Sequence, residues 1–260
     1  MTGRAYAAAP LAPLNATLRT MFGTDDLPGL VPGLIVEDDR GWLPASELIS
    51  GDRLPELLAA ARRSWQATPH AAAALLWKAY TYWLALPTVV GWASARRVPL
   101  VRASDVLIRV DTDRAAITLG LRRGTTIAVL PTDPLALAGL PEVRVLADEA
   151  ELLTALRESM LDEHLTPLLD AILAQVRIGA RTMMGSVASG VSYGILRAAD
   201  GLPGTSAENV GTLLAALDLA DLVDLVPGPN GEPTVQRKTC CLAFTLPQPR
   251  ICKGCCIRSS

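Results

Sequence analysis

The feature that most restricts how this chain can fold is the placement of its cysteines. All five, Cys240, Cys241, Cys252, Cys255 and Cys256, lie in the terminal stretch Arg237–Ser260, which reads RKTCCLAFTLPQPRICKGCCIRSS. Cysteine used as core filler would be scattered among the apolar segments, so this grouping needs a local cause. Thiolates on a floating tail are neither screened from water nor held beside a substrate. The end of the chain is therefore expected to fold back onto a body.

The spacing is C-C-x10-C-x2-C, with one further cysteine directly after it. Cys252 and Cys255, separated by Lys253 and Gly254, form a tight knuckle able to place two thiolates on one metal centre. Gly254 lets the chain turn there. Cys240 and Cys241 are adjacent, so in extended backbone their side chains point in opposite directions. A turn, or a centre with two metal atoms, serves them more easily than a single ion. Soft thiolates select zinc, copper or iron-sulfur centres. Three other readings compete. A disulfide staple suits an oxidising compartment, a structural zinc site usually has a CxxC pair at each end, and a thioredoxin-type CxxC needs a strand before it and a helix after it.

With Arg237, Lys238 and Thr239 in front of it, the motif resembles the C-terminus of siderophore-iron reductases of the ferrioxamine-utilisation type. The segment His164–Ser189 is similar to that family's last long stretch before the motif. The resemblance implies a [2Fe-2S] cluster on Cys240, Cys241, Cys252 and Cys255. It also implies one-electron reduction of a ferric siderophore, a hydroxamate type included, in the cytoplasm, with release of Fe(II). A separate electron-donor protein or reductant would recharge the cluster. The family commonly has proline after the last motif cysteine; here Cys256 stands there, and the retained spacing of Cys255 leaves it a silent thiol. A structural zinc or scaffold protein and a ferredoxin-like carrier are the alternative functions. Zinc and iron-sulfur centres differ in visible absorption, and a body this large exceeds what carriage alone needs.

The 260 residues are half apolar but only 4% aromatic, and the abundance of alanine and leucine favours helix. A net charge of -2 gives no support for a nucleic-acid partner. The tail departs from this balance, because Arg237, Lys238, Arg250, Lys253 and Arg258 face the single acid Glu232 between Gly231 and Ser260. Such cations would tune a cluster's potential or dock an acidic donor. Arg177 and Arg181, four apart on an expected helix, join Arg237, Lys238, Arg250 and Lys253 as candidate substrate or docking residues. No signal peptide is evident, and Lys78, Pro87, Arg177 and Arg181 interrupt the two apolar candidates for a membrane span. The expectation is a cytoplasmic protein with at most peripheral membrane contact.

Along the chain, a short helix is expected over Asn15–Met21, closed by Gly23. Asp25–Pro32 is rich in turn residues. Glu37, Asp38 and Asp39 read as a solvated turn, and Trp42 as a packing anchor. A helix over Leu54–Trp65 follows, then one with Thr68 as N-cap and Pro69 at its first position. That second helix carries Trp77, Tyr80 and Trp83 on a buried surface and ends or kinks at Pro87. His70 reads as a surface residue. Val106–Val110 and Ala115–Leu119 flank Asp111-Thr112-Asp113-Arg114 as a β-hairpin, in which Arg109 and Thr118 face either solvent or a ligand. Strands over Thr126–Leu130 and Val143–Leu146 come next. Helices over Glu149–Met160, His164–Val176, onward to Arg197, and Ala207–Leu219 complete the body, with His164 read as a helix-start residue open to substrate. Leu222–Val235, with its Pro227-Gly228-Pro229-Asn230-Gly231 turn, leads into the tail. The chain carries no P-loop, Rossmann fingerprint or nucleophile elbow. The architecture implied is α+β, a small antiparallel sheet flanked by helices. Residues 1–235 would form the body and residues 236–260 the cysteine-rich segment.

Overall fold

The structure is a computed structural model and describes residues 9–23, 27–51, 53–111, 116–228, 231–252 and 254–257. The hairpin tip at 112–115, Asp25, Pro229, Asn230, Lys253 and Arg258 lie outside the described residues. The architecture is α+β, with small sheets flanked by helices. In chain order α1 (Ala12–Phe22) is followed by β1 (Leu30–Ile35), β2 (Leu43–Pro44), α2 (Ser46–Ser50), α3 (Arg53–Trp65) and α4 (Pro69–Ala95). Then come β3 (Val98–Pro99), β4 (Val106–Asp111), β5 (Ala116–Leu121), β6 (Ile127–Val129) and β7 (Val143–Val145). The chain closes with α5 (Glu149–Arg157), α6 (Thr166–Leu173), α7 (Ala180–Arg197), α8 (Ser206–Ala216) and the hairpin of β8 (Val223–Pro227) and β9 (Pro233–Arg237).

The hairpin β4–β5 pairs Val106 with Leu121 and Asp111 with Ala116, as its alternating pattern requires. β1 adds parallel to β5 and β2 antiparallel to β4, giving the order β1-β5-β4-β2. A second sheet, β3-β6-β7, joins β6 and β7 in parallel. The parallel β1 thus joins the antiparallel sheet that the hairpin pattern implied, and the parallel β6–β7 pair belongs to the second sheet. Arg109 is exposed on the outer face, its guanidinium 4.8 Å from the centre of the Trp42 ring, so it takes the solvent reading. The acidic run is likewise a surface feature, with Glu37 paired to Arg123 and Asp38 to Arg40 at 2.6 Å.

α4 is the central pillar. Thr68 caps it by accepting from the Ala71 N–H at 3.3 Å, with Pro69 at its first position, a cap worth about 1 kcal/mol. The helix does not stop at Pro87. It runs on to Ala95, with Leu84 through Ala93 buried. An interior proline removes one intrahelical bond and costs about 3 kcal/mol; packing on both sides of it opposes that cost. α7 lies along the same stretch, where a Cβ on Gly194 would stand 3.1 Å from Val89 and 3.4 Å from Leu86. Lower down, the Trp77 indole N–H donates to the Met183 carbonyl at 2.8 Å, burying a polar atom with its partner.

His164 departs most from its sequence reading. It is fully buried, inside a π-helical stretch, Glu158–Leu165, that links α5 to α6. Its Nδ1 lies 2.7 Å from the Val101 carbonyl, so Nδ1 carries the proton, and Nε2 accepts from the Tyr80 hydroxyl at 2.6 Å. His164 therefore ties the connection at Val101 to α4 and presents no surface to solvent. Burial pushes its pKa down to about 4 against the opposing Val101 hydrogen bond, and burial pushes the Tyr80 hydroxyl up.

The sign of the resulting pH dependence follows. In the unfolded chain His164 takes up a proton near pH 6.5, in the fold only near 4. Its stabilising contribution is complete above pH 6.5 and is lost as pH falls toward 4, a span worth roughly 3 kcal/mol. Chemical denaturation at pH 7 and pH 4.5 should show the wild-type chain losing about 2 kcal/mol more than a His164→Gln variant over that interval. Equal losses in the two proteins would remove His164 as the cause.

Candidate functional site

The cysteine tail folds back onto the body, and two glycines make this possible. β9 ends at Arg237, whose backbone N–H donates to the Gly254 carbonyl at 2.9 Å. The Gln236 amide donates to the Cys255 carbonyl at 2.8 Å. The segment between leaves the body at Thr239, just past the end of β9, and returns at Gly254. Gly254 has φ +71°, and a Cβ there would sit 1.7 Å from the Val235 carbonyl oxygen. On the helix side, a Cβ on Gly185 of α7 would sit 1.9 Å from the Thr239 hydroxyl. Any larger residue at either position would push the tail off the body.

The loop divides its cysteines. Leu242 takes a left-handed conformation at φ 60° and donates its N–H to the Cys240 sulfur at 3.3 Å. Cys241 points inward, 3% exposed, and its sulfur lies 3.8 Å from that of Cys252. Cys252 and Cys255 are joined in a turn closed by the Cys255 N–H on the Cys252 carbonyl at 3.0 Å. The hydrogen bond with Cys252 holds the Cys241 thiol well down, to about 5, with Lys78 and Arg237 contributing. The same shared proton pushes the Cys252 thiol up. Burial raises the pKa of Cys256, and Cys240 and Cys255 beside it raise it further. Adjacent cysteines thus look to different partners, Cys241 to Cys252 and Cys240 to Cys256.

Two thiolates on one tetrahedral metal with bonds of about 2.3 Å stand about 3.8 Å apart, which is the spacing of Cys241 and Cys252. That pair suits a shared metal. Among the described residues, however, no group of three or more His, Cys, Asp or Glu side chains is arranged to hold a metal ion.

Against this loop lies a groove of about 290 Å³ between α4 and α7. Lys78 and Tyr82 come from α4, while Ser186, Ser189, Tyr193 and Arg197 come from α7 at spacings that put them on one helical face. Arg237 and Cys252 close the end next to the tail. Arg197 donates to the Tyr82 hydroxyl at 2.8 Å. Burial raises the pKa of Tyr82 against the opposing charge and hydrogen bond of Arg197, and burial with nearby Cys252 raises that of Tyr193. Arg237 is 2% exposed and donates from Nη2 to Ser186 Oγ at 2.9 Å, while its Nε and Nη1 have no partner. The groove carries three cations and no carboxylate among the described residues. A larger hollow of about 730 Å³ beside α3 offers Arg62 and Arg63 in an otherwise uncharged lining that includes no cysteine among the described residues.

Of the candidate basic residues, the structure brings Arg237 alone to this groove among those it describes. Arg177 is exposed in the connection between α6 and α7, so it shares no helical face with Arg181. Arg181 pairs with Asp221 at 2.5 Å and Lys238 with Asp224 at 2.8 Å. Arg250 is exposed beside Gln248 and Pro247. Lys78, Tyr82, Ser186, Tyr193 and Arg197 were not singled out from the sequence. A signal was present for two of them: Lys78 is a lone charge in an apolar helix, and Arg197 lies four residues after Tyr193.

No family model and no curated protein matches the sequence. Two solved structures of aerobactin synthetase IucA from a hypervirulent pathotype of Klebsiella pneumoniae are similar in fold. The ATP-bound form gives a TM-score of 0.53 and a second structure 0.56, each 16% identical and covering 91% of this chain. The chain spans about half the length of that synthetase, 48% and 49% in the two structures. The shared fold is the extent of what this likeness shows.

It nevertheless corrects the function implied by the tail. The solved structures it resembles are of aerobactin synthetase, where a ferric-siderophore reductase was expected, and among the described residues the cysteines form no group of three or more arranged to hold a metal ion. The oxidoreductase reading, with its electron transfer to ferric iron and its zinc-scaffold and carrier alternatives, is withdrawn. No helix among the described residues is long and apolar enough to cross a membrane.

The tail's docking has a direct test. Gly254→Ala should free it, because the added carbon collides with the Val235 backbone. Alkylation at pH 7 followed by peptide mass spectrometry should show Cys241 modified about tenfold faster in the variant, with α7 still protected from proteolysis. An unchanged rate would mean that the tail is held by other contacts.

Proposed function

We propose that this chain acts in siderophore biosynthesis, its body holding a siderophore or an intermediate of its assembly in the groove between α4 and α7. The observation that carries the reading is the groove itself, cationic and hydroxyl-lined in a body that shares its fold with aerobactin synthetase. Siderophores and their precursors present hard, electron-rich oxygens. Arginine and lysine donors and tyrosine hydroxyls suit such atoms. In this reading Lys78 and Arg197 attract the ligand at the rim, Tyr82 and Tyr193 form its walls, and the tail's edge at Cys252 keeps water from one end.

We propose further that Cys240, Cys241, Cys252 and Cys255 bind a thiolate-ligated centre, for which the [2Fe-2S] cluster is the candidate. A bound centre would supply a cross-link holding the tail over the groove's end. The spacing of Cys241 and Cys252 supports this, and Cys256 stands ready as a neighbour of Cys240.

Isothermal titration with aerobactin, in ferric and iron-free forms, tests the ligand reading. Binding with a Kd on the order of 1–100 μM is expected, weakened about tenfold or more by Lys78→Glu with Arg197→Glu. No binding by either form at millimolar concentration would sink it. Iron, zinc and sulfide quantified on anaerobically purified protein test the centre. Absence of all three, persisting after reconstitution, would leave the cysteines as free thiols.

A further inference from the structure

We infer that Arg237 is the buried end of an oxyanion seat, and that the groove selects its ligands by charge. It would take siderophores or precursors that present a free carboxylate and discriminate against uncharged or cationic ones. This rests on the ligand reading given above and adds the chemical class and the residue that recognises it.

A guanidinium taken out of water costs several kcal/mol unless an anion or a full set of acceptors replaces the lost hydration. Arg97 shows how this fold meets that cost elsewhere. Its guanidinium, largely buried, grips Asp133 through Nε at 2.6 Å and Nη2 at 3.0 Å. Arg237 is more deeply buried and has no such partner. Its one side-chain acceptor is the neutral Ser186 hydroxyl, and Nε and Nη1 are unused. Lys78 and Arg197 line the same groove, whose lining holds no carboxylate among the described residues, so that the acidic groups facing Lys78 and Arg237 are the thiols of Cys241 and Cys252. Three cations around one hollow repel one another, and an anion inside it relieves both the repulsion and the unmet donors. A carboxylate fits because its two oxygens accept from Arg237 and Lys78 together while the rest of the ligand lies along the tyrosines toward Arg197.

The competing explanation is that Arg237 serves only as counter-charge to Cys241 and Cys252. The experiment separates the two. Full-length protein and its Arg237→Gln variant are melted with citrate, inorganic phosphate or matched sodium chloride, then titrated with aerobactin as a carboxylate-bearing siderophore and with an uncharged ferric trihydroxamate. Citrate should raise the Tm of the wild-type protein and leave the variant unmoved. Without ligand the variant should melt no lower than wild type, because an unpaired buried charge has gone. Aerobactin binding should fall about ten- to a hundredfold in the variant, and the uncharged complex should bind wild type at least about tenfold more weakly than aerobactin does. Lys78→Gln, at the rim, should keep its fold and lose part of the citrate response, which holds the test open if Arg237→Gln does not fold.

An unchanged citrate response in Arg237→Gln, with slower alkylation of Cys241, would assign Arg237 to the thiolates and overturn the seat. Equal binding of the charged and uncharged siderophores by both proteins would also overturn it while leaving the ligand reading standing. An Arg237-dependent citrate response without any siderophore binding would uphold the seat and end the siderophore reading.

Discussion

The packing of α4 against α7 is the contact on which the rest of this structure depends. α4 is apolar nearly all round, so it must be enclosed; its buried residues run from Ala71 to Ala93. α7 covers one side with a face of small residues, Ser186, Ser189, Gly190 and Gly194 among them. Small side chains bring the two backbones close, and the Trp77 bond to the Met183 carbonyl sets their register. The same closeness keeps α4 helical through Pro87, since the flanking turns gain more from burial than the missing hydrogen bond costs. The groove is where this contact opens, as side chains at the upper end grow from serine to tyrosine and arginine.

The tail depends on that same helix. β9 lies along α7, and Thr239 fits over Gly185, so the departure point of the cysteine loop is set by a small residue on the pillar's partner. The return point is set by Gly254 against Val235. Gly185 lies far from the cysteine pattern and Gly254 within its CxxC turn, and both decide where the sulfurs lie. With the ends pinned, the loop's left-handed residue Leu242 lets Cys240 and Cys241 face different ways, the first toward Cys256 and the second toward Cys252.

Much of the body was legible from pattern. The cap at Thr68, the β4–β5 hairpin and the buried Trp77 and Tyr80 of α4 follow from local rules in which side chain and backbone agree, while Trp83 is only half-buried. Local rules failed where tertiary packing outweighed them. Pro87 signals an end or a kink to a local reading, and burial on both flanks keeps the chain helical beyond it to Ala95. His164 reads as polar and terminal, while Val101 and Tyr80, distant in sequence, give both ring nitrogens partners in the core. The Arg177–Arg181 pairing assumed one continuous helix, and the break at residues 174–179 separates them. The groove was the least visible part, because its walls come from α4, α7 and β9 and no spacing within one segment records their meeting.

The tail's motif and the body's fold are legible at different scales, which is why a reading of the tail did not foretell the body. A cysteine pattern is a statement about one loop, readable in a few dozen residues. A fold is a statement about how the helices and sheets enclose a core, and it is carried by apolar residues that no motif singles out. Arg237 belongs to both, as the last residue of β9 and the wall of the groove. Its guanidinium sits between the sulfurs of the loop, where its charge helps to hold the Cys241 thiol down, and the hydroxyls of α7, where it bonds Ser186, and its Nε and Nη1 have no hydrogen-bond partner. A position that needed only packing would be filled more stably by leucine or methionine, since a buried unpaired charge is a standing cost. The arginine persists in the fold at the expense of stability, and the side that gains from it is the one that supplies an anion.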